Sequence, residues 1–146
     1  MKRNYIVGVI SALIFIAGYV ICTLFFSEVP RFSYTAEWTS RHYFLFVWVI
    51  AILCAIFNLP FTSLTITAGC FIGIGLGDFI GKRIIDSNWH KINQLISEGV
   101  SVSVETLNLA DYHYGVFIWL ETILVAIVIG LIADMLHRRR LKKVSE

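Results

Sequence analysis

Two carboxylates, Asp78 and Glu121, stand inside long apolar runs. An ionisable side chain within a membrane span is costly, and by default it marks an ion, proton or substrate path. Two such acids held close together share one proton, which is the chemistry of a proton-coupled carrier or a cation site. Each acid also has a plainer structural reading. Asp78 precedes Lys82 by four residues, the spacing of a helical ion pair, and Glu121 has Arg41 or a neighbouring hydroxyl as a partner. Glu121 lies deeper in its run and is the stronger candidate. A third acid, Asp134, precedes Arg138 by four residues and reads as a boundary ion pair.

Other chemistries have weaker support. His42, His90, Asp111 and His113 include one Asp-x-His pair, but no HExxH or CxxC spacing joins them, so no metal and no cofactor is expected. Ser63, Thr65 and Thr67 have no histidine at matching depth to act as a base, which argues against an intramembrane hydrolase. Gly73-Ile74-Gly75-Leu76-Gly77 lacks the GK[ST] ending of a phosphate loop. The net charge of +2 is small and no basic face carries interleaved aromatics outside the C-terminal tail, which excludes nucleic acid as a partner. Cys22, Cys54 and Cys70 all lie in apolar runs and read as packing residues.

The acids need helices to hold them, and one stretch dominates that framework. From Phe61 to Gly81 the chain places Gly69, Gly73, Gly77 and Gly81 at intervals of four, with Thr65 one step earlier. Residues four apart share a helix face, so this is a groove without side chains along an apolar rod. Lipid tails are as apolar as leucine, so helices in a bilayer associate through close packing at small residues. A second stripe at the same spacing, Thr122, Ala126 and Gly130, lies in the last apolar run, and the first run offers Gly8 and Ala12. The ladder serves packing within one chain or a self-association face that builds a homo-oligomer.

Composition sets the class. Of the 146 residues 58% are hydrophobic and 15% charged, against about 45–50% and about 25% in soluble domains. The excess falls in Tyr5 to Phe26, Phe44 to Ile80 and Gly115 to Leu136. The first is too long for a signal-peptide core and reads as a retained anchor. The second would be roughly 55 Å long as one helix, against about 30 Å of hydrocarbon. Asn58-Leu59-Pro60 divides it, because the residue before a proline is driven out of the helical region. An even number of crossings puts Lys2, Arg3, Arg138, Arg139, Arg140, Lys142 and Lys143 on one side, which the positive-inside bias makes cytoplasmic.

Outside the spans, residues 27–43 read as a polar loop. Ile85, Trp89, Ile92, Leu95 and Ile96 give an amphipathic helix lying on the outer surface and ended by Gly99. Val100, Val102 and Val104 alternate with serines as in a short strand or extended segment. Trp38, Tyr43, Trp89, Tyr112, Tyr114 and Trp119 form an outer aromatic belt.

The expected fold is therefore an all-α integral membrane protein with four transmembrane helices, at about 5–26, 43–59, 61–81 and 115–137, and an extracytoplasmic amphipathic helix at about 84–98. Residues 1–146 form a single polytopic domain of the plasma (inner) membrane, with an outer loop at 82–114 and a basic cytoplasmic tail at 137–146. The expected function is non-enzymatic: an interaction or accessory subunit that works through the glycine-ladder helix. Its partners are the lipid bilayer and either a membrane protein or further copies of the chain. The alternative is an oligomeric small-ion or cation carrier or channel with Glu121 and Asp78 as its coupling pair.

Overall fold

The computed structural model describes residues 2–25 and 34–145. Its helices are α1 (Lys2–Phe25), α2 (Tyr34–Arg41), α3 (Val47–Ile56), α4 (Pro60–Ser97), α5 (Val104–Ala110) and α6 (Gly115–Ser145), and no strand occurs among the described residues. Three of them, α1, α4 and α6, are long and apolar enough to cross a membrane; α2 and α3, bent by 66° at their junction, make a fourth when taken together.

The framework is the antiparallel pair α4 and α6, the most extensive helix contact in the molecule. Gly69 lies against Ala126, Gly73 against Trp119 and Thr122, Gly77 against Gly115, and Gly130 against Thr62 and Thr65. A Cβ at Gly69 would stand 2.5 Å from that of Ala126, and one at Gly77 would stand 2.4 Å from the Gly115 carbonyl oxygen. No side chain fits at such distances, so glycine lets the two backbones meet. The recess at Gly73 also takes the Trp119 indole. Trp119 is 0% exposed and its Nε1–H donates to the Cys70 carbonyl at 3.0 Å. It belongs to the core and not to an aromatic belt, because the recess buries the ring and satisfies its one donor together.

α1 packs on α3 and α4. Phe15 sits between Phe44 and Phe71, with ring centroids 5.9 and 5.5 Å away, and the buried Ser11 and Ser63 hydroxyls meet at 3.1 Å. At one end of the bundle Asn4 donates to the Asn58 side chain, and Arg138 donates to the Asn58 carbonyl at 2.8 Å. The start of α1, the α3–α4 turn and the Arg138 turn of α6 are thereby gathered at what is here termed the near end. The turn itself follows from Asn58 at φ 62° and Pro60 in the first turn of α4. Thr35, Asp78 and Gly115 meet at the opposite, far end.

Four stretches differ from the reading of the sequence. The helix expected over 43–59 is α-helical only from Val47 to Ile56. Tyr43, Phe44, Leu45 and Phe46 instead form a left-handed turn at φ 50°, 51°, 46° and 57°. Left-handed backbone costs non-glycine residues about 1–2 kcal/mol each. Burial of Phe44, which is 2% exposed among Phe15, Tyr19 and Phe71, opposes that cost. Ten residues of α3 reach only about 15 Å, and α2 supplies the other half of the height.

The second difference is α2 itself, which forms inside the expected 27–43 loop. Its Thr35, Ala36, Thr39 and Ser40 make a buried face of small residues. The Thr39 and Ser40 hydroxyls bond to carbonyls of their own helix, at 2.6 and 3.0 Å, so a polar face can be buried. The part of that loop with Glu28 and Arg31 lies outside the described residues. Third, α4 does not stop at Gly81; it continues to Ser97 and absorbs the separate 84–98 helix, because no breaker follows until Gly99 at φ 79°. At 38 residues it is about 57 Å long and projects beyond the far end. Fourth, no strand forms and Val104 opens a helix after a non-helical stretch that ends at the extended Ser103, since Ser103 caps α5 by accepting the Thr106 N–H at 3.2 Å. The Trp89 Nε1–H donates to Asp111 at 2.8 Å and ties the projecting part of α4 to the end of α5.

Candidate functional site

A helix leaves its first four N–H groups without intrahelical partners, and its N-terminus carries a partial positive charge. The bundle answers this twice with an acid from another helix. At the near end Asp134 of α6 is 2% exposed. Its Oδ1 accepts from the Phe61 N–H at 3.2 Å, and its Oδ2 accepts from the Thr62 N–H at 2.8 Å and the Thr62 hydroxyl at 2.7 Å. Asp134 thus caps α4 across 72 residues of chain. The expected ion pair with Arg138 is replaced: Arg138 serves the Asn58 carbonyl, because Asp134 faces inward. The signal for this was present. Asp134 extends the Thr122, Ala126, Gly130 row by one more turn, which places it on the face that packs against α4.

At the far end Asp78 of α4 is half-buried, and its Oδ1 accepts from the Thr35 N–H at 2.6 Å. It caps α2 as Asp134 caps α4, and the Ala36 N–H and the Thr35 side chain also face its carboxylate. The neighbouring Thr35 hydroxyl is fully buried and has no hydrogen-bond partner among the described residues. Gly77 and Gly115 close in on it, since a Cβ on either would stand 3.0 or 2.2 Å from that oxygen. His113 lies over Gly81. Its ring stacks on Tyr34 at 4.3 Å and its Nδ1 accepts from the Gly115 N–H at 3.1 Å. Burial pushes the His113 imidazole below its ordinary pKa, and the nearby Asp78 carboxylate opposes that.

Glu121 is elsewhere. It is exposed, on the side of α6 where Phe117, Leu120, Leu124 and Val125 are also exposed. It stands about 9 Å along the helix from Gly115. Arg41, one of its expected partners, is paired with Glu37 at 2.5 Å. The structure therefore does not bring Asp78 and Glu121 together: one carboxylate meets the α2 backbone, the other faces out of the bundle. Helix phase carries this information, since Glu121 sits about 100° round from Thr122, on whose row α4 packs.

No family model, no curated protein and no solved structure matches the chain. Among the described residues no group of three His, Cys, Asp or Glu side chains gathers closely enough to hold a metal ion. Ser63 bonds Ser11, and the Thr65 and Thr67 hydroxyls donate to helix carbonyls at 3.0 and 2.9 Å. The three cysteines are free thiols, with Cys22 and Cys70 buried.

Proposed function

We propose that the chain is a four-span protein of the plasma membrane with both termini cytoplasmic, and that it acts as a non-enzymatic interaction or accessory subunit. The topology is supported by the contacts of Asn4 and Arg138 with Asn58, which hold the start of α1 and the basic turn of α6 at one end. The function rests on Glu121. A carboxylate within a span costs about 2.5–3.5 kcal/mol when it faces lipid, and such groups nearly always face protein. Glu121 is exposed among apolar side chains, so this face of α6 gains most by meeting a span that presents a hydrogen-bond donor or a cation at that depth.

A heterologous partner is favoured over a second copy. Around Glu121 the exposed α6 residues are Phe117, Leu120, Leu124 and Val125. Two-fold self-association through this face would set carboxylate against carboxylate, which requires the pair to hold a proton between them, whereas a partner with a donor or cation meets Glu121 in its charged form. A photo-crosslinker at Leu124 in intact membranes tests the reading. The expected result is one adduct heavier than a dimer of this chain or distinct from it in mass, lost in Glu121→Leu. Adducts to lipid alone would overturn it, and a dimer that persists in the variant would replace the heterologous partner with a second copy.

A second reading, a small-ion or cation carrier, draws on Asp78 beside the broken α2–α3 span. Discontinuous helices whose ends face the bundle interior are a device of ion-coupled carriers. In this reading Asp78 acts without Glu121 unless another chain supplies it. Proteoliposome flux that is lost in Asp78→Asn, with fold retained, would favour this second reading.

A further inference from the structure

A groove of about 590 Å³ runs between α1 and α4 in the far half of the bundle. Two adjacent rows of α4 line it, each stepping by four residues. One row is Ile74, Asp78, Lys82, Asp86, and the other is Phe71, Gly75, Phe79, Arg83. Both rows pass from apolar to charged along the same direction. The deep part is walled by Phe71 and Ile74, with Ile21 of α1 opposite, and the outer part by the four charged side chains. The space at Gly75 is real, because a Cβ built there meets no atom within 4 Å. The Arg83 guanidinium lies 4.4 Å from the Phe79 ring centroid, which fixes a cation at the junction of the two parts.

Apolar depth below a charged rim is the shape of a lipid standing in one leaflet. The rim carries both signs in alternation, Asp78, Lys82 and Asp86 on one row with Arg83 beside them. A head group of one sign would meet repulsion from half of it, and a quaternary amine could donate no hydrogen bond to its carboxylates. We infer that this groove holds a phospholipid of the outer leaflet whose head group joins a phosphate to a primary ammonium, with the acyl chains against Phe71 and Ile74. The phosphate meets Arg83 and Lys82, and the ammonium meets Asp86. The site lies on α1 and α4 and is separate from the Glu121 face of α6, so the two can fail separately; its placement in the outer leaflet rests on the topology proposed above.

The test is lipid retention. The full chain is reconstituted in nanodiscs of equal phosphatidylethanolamine, phosphatidylcholine and phosphatidylglycerol, extracted in mild detergent, and weighed by native mass spectrometry. The wild type should keep one phosphatidylethanolamine, enriched about tenfold over either competitor. Gly75→Leu sets its Cβ in open space and its remaining carbons in the groove, so it should unfold no lower than the wild-type temperature and keep no lipid. Asp86→Asn should reduce the ethanolamine-over-choline preference by roughly fivefold while the mass of one lipid remains. Equal retention by Gly75→Leu and wild type would overturn the site. Enrichment of phosphatidylglycerol or phosphatidylcholine would overturn the head-group assignment.

Discussion

The two ends of the bundle solve one problem with unequal completeness. Each offers a helix N-terminus inside the bundle and an acid from another helix to cap it. At the near end Asp134 uses both oxygens on three donors of Phe61 and Thr62, and Arg138 closes the adjoining turn through Asn58. At the far end Asp78 accepts from the Thr35 N–H through Oδ1, with the Ala36 N–H also facing it. The buried Thr35 hydroxyl lies beside the carboxylate without a hydrogen bond of ordinary geometry among the described residues. A buried polar group without a hydrogen bond costs about 1–3 kcal/mol. The near end is thus a closed structural latch. The far half holds what is unfinished: a half-buried acid, an orphan hydroxyl, an open groove and the outward Glu121. Working surfaces are drawn from the less stable parts of a fold, and in the function proposed above they lie in the far half.

Isosteric changes separate the two acids most sharply. Asp134→Asn must turn an amide N–H₂ toward donors that now share two carboxylate oxygens, and should cost about 3 kcal/mol in unfolding from detergent. Asp78→Asn keeps an oxygen for the Thr35 N–H and should cost no more than about 1 kcal/mol. Equal losses would erase the distinction.

Packing should matter next. Gly77→Ala places a Cβ 2.4 Å from the Gly115 oxygen and 3.0 Å from the Thr35 hydroxyl. Backbones must part, at about 2 kcal/mol, and thermal unfolding of the variant measures it. The smallest effect is a pH slope. His113 has a folded pKa below its ordinary value through burial, with Asp78 opposing. The unfolded chain therefore takes up the proton first as pH falls, so stability is complete above the ordinary histidine pKa and declines as pH drops through and below it. Protonation also removes the Nδ1 lone pair that accepts from Gly115. Unfolding followed from neutral to acid pH should show this slope in the wild type and lack it in His113→Gln.

Much of this framework was legible in the residues. The break at Pro60, the stop at Gly99 and the four-residue stripes on α4 and α6 all act through local backbone chemistry, which a sequence displays. What was hidden depends on distant partners. Tyr43 to Phe46 carry no glycine or asparagine to announce a left-handed turn, which exists because Phe44 is buried against α1 and α4. The helix at Tyr34–Arg41 looks like a polar loop until Thr35 meets Gly77 of α4 and Gly115 of α6. Capping by Asp78 and Asp134 reaches across 43 and 72 residues; the Thr122 row turns Asp134 toward α4, but no local spacing names the amides that either acid meets. The outward direction of Glu121 was readable from the phase of the Thr122 row, yet depth in the apolar run pointed the other way.

Amide hydrogen exchange of the intact protein in detergent compares the two caps in one measurement. The amide protons of Phe61 and Thr62 should exchange at least about tenfold more slowly than that of Thr35, after correction for intrinsic rates. Equal protection at the two ends, or greater protection at Thr35, would contradict the assignment of structural work to the near end and functional work to the far half.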